Sequence, residues 1–537
     1  MQRIKIYAGR AAAAVSWLYI IAAAGIMPFY FTEGYGYIGS DKAAFFRSVG
    51  FPLAFAALAA ACFYCIVTYM GNRKAFGATL KSRISATDIC MLCYLVSLII
   101  SYLLSEYQEH ALLGSDTWPM GLLTHLALIA SYFALSRSFL GEKWLYALLL
   151  GVTTVVFALG LLNRYGIYPI QMDYAGPAFI STIGNVNWYC GYWSVLVCFS
   201  LLAYWNRTPG KTAKEMRLTA GFALLSLIGL AAGITQGSDS GILALAAVYF
   251  ALFCFSVDNP DKMQRFTELL FLFCLACLAC LTVNKLFPDA VTFLSVPMQL
   301  LTNTIFPCVA TPVSLAICLI VRQQNSDGTC NTSAWEKIRT MVSAAAAAGL
   351  ALYLLTALLN TTLPQGVSGL YGNSLFTFSR EWASSRGGTW SAGIKIWESQ
   401  DLLHKIFGTG PDCMSEYLYS GRNTELLTAV REQFGNDRLL NAHGEWITVL
   451  ANLGVFGLLS YACLIISFLR RTLKKGAENP MLYVLGFCVL CYTVNNIFSF
   501  QTMANVTQLF LLMGVGESLL RREQSLRQTC LSAMINT

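Results

Sequence analysis

Apolar and polar positions fall along this chain in long blocks. Apolar runs of about 18–25 residues recur from end to end, each long enough to cross the ~30 Å hydrocarbon core of a bilayer as a helix. They lie at roughly 11–31, 49–70, 86–105, 119–136, 144–162, 187–205, 218–235, 240–257, 266–284, 299–321, 341–359, 445–469, 480–498 and 503–520. The pattern predicts an all-α integral membrane protein with about 14 transmembrane helices. The first run is too long for the apolar core of a cleaved signal peptide, and no small-x-small site follows it, so it is read as a span.

Most polar connections are short. The exception separates the eleventh and twelfth runs and divides the chain into a membrane part (1–359), a long loop (360–442) and a second membrane part with its tail (443–537). After a Gly/Ser/Thr-rich stretch from Leu363 to Arg380, the spacing predicts a helix from Trp390 to about Ile406, with Trp390, Ile394 and Trp397 on one face. A Gly408-Thr409-Gly410-Pro411 turn follows, and Asp412 is placed to cap a second helix reaching about Phe434. Long ordered loops in compact proteins usually carry function. No internal repeat is visible, which argues against a carrier built from inverted halves.

Composition sharpens the membrane reading. Of 537 residues, 56% are hydrophobic and 12% charged, and the mean hydropathy is +0.56. Soluble domains carry roughly a quarter charged residues. With an N-terminus inside and alternating sides, the inner segments hold 25 of the 36 Lys and Arg residues and the outer segments 11. Lys42, Arg47, Arg164 and Lys285 are the outer ones beyond the long loop, which holds the other seven. Positive charge marks the cytoplasmic side, so residues 360–442 are expected outside. The net charge of +8 then reflects topology and does not suggest nucleic acid.

Of the eighteen cysteines, most sit inside apolar runs, and the long loop holds only Cys413, which excludes a disulfide framework there. The sequence has no Walker A loop, no GxGxxG, no HExxH and no Asp-x-Asp pair for a metal-bound nucleotide sugar. Chemistry on the outer face would have to proceed without a nucleotide, on a substrate already activated on a lipid such as a polyprenyl diphosphate.

Two residues suit that chemistry. His443, in Asn441-Ala442-His443-Gly444-Glu445-Trp446, stands where the long loop returns to the membrane. A neutral imidazole there is a general base near pH 7; the plainer alternative is an interfacial histidine bonded to backbone. Glu445 is the candidate to orient the ring. Arg386, in Ser384-Ser385-Arg386-Gly387-Gly388-Thr389-Trp390, has small neighbours that let a bulky anion approach a planar guanidinium. The alternative is a solvated surface arginine.

These segments also carry a resemblance. NAHGEWITVLANLGVFGLL (441–459), RGGTWSAGIKIWESQDLLHKIFGTGPD (386–412), TIGNVNWYCGYW (182–193) and ALLGSDTWPMGLLTHL (111–126) resemble, in order, segments of the bacterial O-antigen ligase and O-antigen polymerase superfamily. The resemblance implies a metal-independent, inverting glycosyltransferase of the bacterial inner membrane, active on its extracytoplasmic face in cell-envelope polysaccharide biosynthesis. It would need no cofactor and would move a glycan from a polyprenyl diphosphate donor to a hydroxyl on a glycan, lipid or protein. It also implies that His443 is the catalytic histidine, that Arg386 lies near the diphosphate, and that Trp390, Asn185 and Asn187 face substrate. Two positions depart from the family. Gly444 stands where Asn usually follows the histidine, and the Thr235–Gly241 segment has Asp239 where many members carry a second arginine. Arg164 and Lys285 are the candidates to replace that arginine.

Ligase and polymerase share this chemistry and are not separated by the sequence. The rival from another class is a transporter or flippase for lipid-linked glycans, which calls for ionisable groups at mid-membrane. Apolar runs with few charges beyond His125 and Glu268 favour the enzyme.

Overall fold

The computed structural model describes residues 2–535, apart from 71–83, 209, 211, 292–294, 364–365, 368 and 371–372, and no side chains beyond 524. Most of the basic connection at 71–85, part of the 363–380 stretch and the Cys530 side chain lie outside what is described.

The described chain is almost entirely helical, and its only strands are a two-stranded antiparallel pair at residues 179–185. Among the described residues, eleven helices are long and apolar enough to cross a bilayer: Gln2–Phe29, Ile38–Met70, Ala86–Leu104, Glu142–Arg164, Val186–Trp205, Ala213–Thr235, Pro260–Leu286, Ile305–Ser326, Thr332–Thr362, Glu445–Lys475 and Met503–Gln524. The remaining three runs fold as shorter helices, Leu122–Ser138, Asp239–Cys254 and Pro480–Asn495. Starts are set by local chemistry: Ser85 and Asp88 form a capping box, and Asn479 caps a helix that opens with Pro480.

Burial sorts these helices into a centre and a rim. The most apolar window of Met503–Gln524 is 100% buried and that of Val186–Trp205 83%, whereas that of Thr332–Thr362 is only 6% buried. A helix so apolar and so exposed would be a gross liability in water; facing lipid, it is at its minimum. The protein is therefore a polytopic membrane protein. Charge inside the bundle gathers near helix ends. Asp88 meets Arg137 and Arg521, Glu517 meets Arg471, and Glu268 meets Arg265.

The described residues between Thr362 and Glu445 form four short helices, Trp382–Ser399, Leu402–Phe407, Met414–Tyr419 and Thr424–Phe434. Ala392, Ile396, Met414, Leu418, Leu426 and Val430 give them a small apolar core of their own. Two expectations are corrected here. The helix expected from Trp390 to about Ile406 starts earlier and is broken in two, Trp382–Ser399 and Leu402–Phe407, with Ala392 and Ile396 buried and Ile394 38% exposed. Asp412 caps no helix; with φ of 62° its carboxylate instead accepts the Ser115 and Met120 amides at 2.7 and 3.1 Å. That clamp ties the loop to the 111–121 segment. Cys413 beside it is fully buried.

Candidate functional site

Five helix ends meet at one end of the bundle, where Glu142–Arg164 and Pro480–Asn495 stop and Val186–Trp205, Asp239–Cys254 and Glu445–Lys475 begin. Polar side chains stitch them together. Asn495 accepts from Ser240 at 2.9 Å and from Cys190 at 3.2 Å, and donates to Asn496 at 2.8 Å. Asn496 in turn donates to Glu445, whose own amide donates to the Asn496 carbonyl at 2.9 Å. Glu445 also accepts from Tyr461, Tyr492 (2.7 Å) and Gln501 (2.9 Å). A buried carboxylate is tolerable only when its lone pairs are filled in this way.

The Tyr461 contact forces a sharp break. Sixteen residues of straight helix would separate Tyr461 from Glu445 by roughly 24 Å. The chain folds back at Gly454, whose φ of 65° and ψ of −169° leave the helical region, with Ile406 backbone only 2.4 Å from where a Cβ would stand. Glycine is required by both conformation and space.

Above this pin lies the connection 496–502, which brings the two expected catalytic residues together. The Phe498 carbonyl accepts Arg386 Nε at 2.7 Å, and its ring stacks on Trp390 at 5.3 Å between centroids. Phe500 meets the His443 imidazole edge-on at 5.2 Å. Arg386 follows Ala383, Ser384 and Ser385, all left-handed with φ of 51°, 59° and 68°. Left-handed backbone costs roughly 1–2 kcal/mol per non-glycine residue, and strain of this kind collects where geometry matters. Its Nη1 donates to the Ala383 carbonyl at 3.0 Å, so the turn and the guanidinium brace each other. Trp382, at the turn's start, donates to the Tyr353 hydroxyl at 3.0 Å.

His443 is held by an amide donation to Asn441 Oδ1 at 2.9 Å and sits at φ 48°. Its Nδ1 is buried without a hydrogen-bond partner. Burial, and then the Arg386 guanidinium, lower its pKa to about 4. Burial also lowers the Arg386 pKa, while Asp239 nearby opposes that shift. His443, Arg386 and Asp239 therefore share one electrostatic neighbourhood.

The other expected residues are placed differently. Glu445 spends its acceptor positions on the four donors above rather than on His443. Asn185 caps Val186–Trp205, accepting from the Asn187 amide at 2.9 Å. Arg164 is 2% exposed and donates to the carbonyls of Pro177 (2.7 Å) and Gln236 (2.6 Å), bracing the segment that leads into Asp239. Lys285 is exposed near the end of Pro260–Leu286. Gly444 is explained by packing, since a Cβ there would lie 2.6 Å from Trp390 Nε1 and 2.9 Å from the Ile497 carbonyl. Sequence reasoning missed Asn495, Asn496, Phe498, Phe500 and Gln501; adjacent amides closing an apolar run were the available signal.

Among the described residues, no three His, Cys, Asp or Glu side chains gather as a metal-ligand cluster. No protein-family model matches the chain, and no curated protein matches it.

Proposed function

We propose that this protein is a membrane glycosyltransferase of O-antigen ligase or polymerase type, with about 14 spans and residues 360–442 on the extracytoplasmic side of a bacterial inner membrane. The observation that carries the reading is the pairing of His443 with Arg386 around one connection. An imidazole free to accept a proton lies within the field of a guanidinium suited to phosphate oxygens.

In the proposed reaction the acceptor hydroxyl gives its proton to His443 as its oxygen attacks the anomeric carbon from the face opposite the diphosphate. The bond from that carbon to the diphosphate oxygen breaks, its electron pair leaves with the lipid diphosphate, and the configuration inverts. Arg386 stabilises the charge that develops on the leaving oxygens. In the resting site burial, and then Arg386, make His443 a weak base; a bound diphosphate offsets the Arg386 charge and raises the basicity of the imidazole when the donor is in place. The carrier alternative draws less support, because the buried ion pairs lie near helix ends.

The test is transfer by the purified chain, in lipid nanodiscs with excess chelator, from a polyprenyl diphosphate glycan to a hydroxyl acceptor. Turnover that His443→Ala abolishes supports the reading. Rescue by a divalent ion, or equal turnover in His443→Ala, overturns it.

A further inference from the structure

His443 precedes one end of Glu445–Lys475, and a groove of about 350 Å³ lies at the other end, against residues 520–524 of the final helix. That volume falls in the roughly 300–1,000 Å³ range of ligand sites. Its walls are Arg471, Lys474 and Lys475 from one helix and Leu520, Glu523 and Gln524 from the other. Both sets are spaced i, i+3, i+4, so each is one helix face, and the two faces border the same space. Three cations share the groove with one carboxylate.

Hydrogen bonds show which of these charges are free. Arg471 is spent on the protein, donating to Glu517 at 3.0 Å and to the Thr87 hydroxyl at 2.8 Å. Lys475 Nζ reaches the two carboxylate oxygens of Glu478 at 3.1 and 3.3 Å, which leaves one of its three donors. Glu523 receives the Asn479 amide at 3.4 Å. Lys474 makes no hydrogen bond or ion pair among the described residues. The groove therefore holds unspent donors on two ammonium groups, with Leu520 and the lysine stems as apolar surface between them. A compact anion such as a phosphate group matches that set.

The surface leading to the groove says what carries the anion. Val455, Leu459, Cys463 and Ile466 are exposed along one side of the helix, and Arg470 and Lys474, also exposed, continue the same stripe. From the break at Gly454 to Lys474 the helix rises roughly 30 Å, which is about the thickness of a hydrocarbon core. The stripe thus faces acyl chains along its length and ends in cations at headgroup level. Basic pockets between membrane helices at that level suit phosphate headgroups.

We propose that this groove binds the phosphate headgroup of an anionic membrane lipid, with its acyl chains along the stripe from Val455 to Ile466. The site stands apart from the glycosyl-transfer reading and holds whether or not that reading does.

Lys474→Gln removes no contact of the fold and Lys475→Gln removes one surface pair, so both are expected to fold. The full chain is delipidated in detergent and titrated with phosphatidylglycerol, or with phosphatidylcholine of the same acyl chains, and native mass spectrometry counts the lipids bound. The first phosphatidylglycerol is expected to bind saturably and more tightly than phosphatidylcholine. A basic side chain beside anionic lipid is worth about 1 kcal/mol, so each substitution should weaken phosphatidylglycerol roughly fivefold and the pair together about 25-fold. Phosphatidylcholine should be unaffected. Lys5→Gln with Lys337→Gln removes the same charge from exposed positions outside the groove and should change neither lipid. Glycerol phosphate in large excess separates a lipid from a free phosphate and should not displace the bound lipid. Equal binding of the two lipids, an unchanged affinity in the Lys474 and Lys475 double variant, an equal loss in the Lys5 and Lys337 control, or displacement by glycerol phosphate overturns the proposal.

Discussion

Arg386 Nε donates to the main-chain carbonyl of Phe498 at 2.7 Å. One N–H thus fixes the guanidinium from behind and Nη1 fixes it from the side, while Nη2 has no partner among the described residues. Lysine has a single ammonium and cannot both hold that carbonyl and present a planar fork. Arg386→Lys is expected to slow transfer at limiting donor roughly ten- to hundredfold, since a charge-assisted hydrogen bond is worth about 1.5–3 kcal/mol. Arg386→Ala should lose more, with acceptor KM little changed in both. Wild-type rates in Arg386→Lys would remove Arg386 from the donor site.

The pH profile carries a sign. The His443 pKa is lowered to about 4 by burial and by Arg386, against an ordinary value near 6.5. The imidazole is then neutral throughout the physiological range, and the acid limb of kcat/KM should lie near pH 4. An unfolded chain takes up this proton near 6.5, so His443 costs stability as pH falls from about 6.5 to 4. Arg386→Gln removes the like charge and should move the limb upward. A limb that stays put would show that Arg386 does not act on the imidazole.

Gly444 is fixed by Trp390. Gly444→Ala places a Cβ within 3 Å of the indole nitrogen and of the Ile497 carbonyl, an overpacking expected to cost about 1–3 kcal/mol. Thermal unfolding in detergent should show the loss, and Trp390→Phe in the same chain should recover part of it by coupling between neighbours. Additive losses would place the clash elsewhere.

Sidedness is open to a thiol probe, although not through the loop's own cysteine. Cys413 is fully buried and is expected to stay unlabelled by an impermeant reagent, whereas Asn436→Cys lies on an exposed turn. In intact cells Asn436→Cys should react and Cys330 should not. The reverse would invert the topology.

The helices were legible because an apolar run in lipid has little choice of structure, and fourteen of them fold where the runs lie. His443 was singled out by the loop's return to the membrane and Arg386 by its small neighbours, and the fold sets both around the connection 496–502. Three things were not. The break at Gly454 hides inside one continuous apolar run, and only the distant Tyr461 reveals it. The Asp412 clamp depends on partners about three hundred residues away. Phe498 and Phe500 look like any aromatic residues at a membrane boundary, and their role follows from what two other segments bring to them.

Thr332–Thr362 is the helix with least protein around it, yet its Tyr353 hydroxyl holds the Trp382 indole at the foot of the left-handed turn. Helices accommodate a mismatched bilayer by tilting, at fractions of a kcal/mol per Å, and the least supported one yields first. Any such tilt pulls on Trp382 and so on the backbone that aims Arg386. Hydrocarbon thickness thereby becomes an input to the position of the Arg386 guanidinium. Turnover in nanodiscs of short and long acyl chains is expected to diverge in the wild type and to converge in Tyr353→Phe, where the tether is cut.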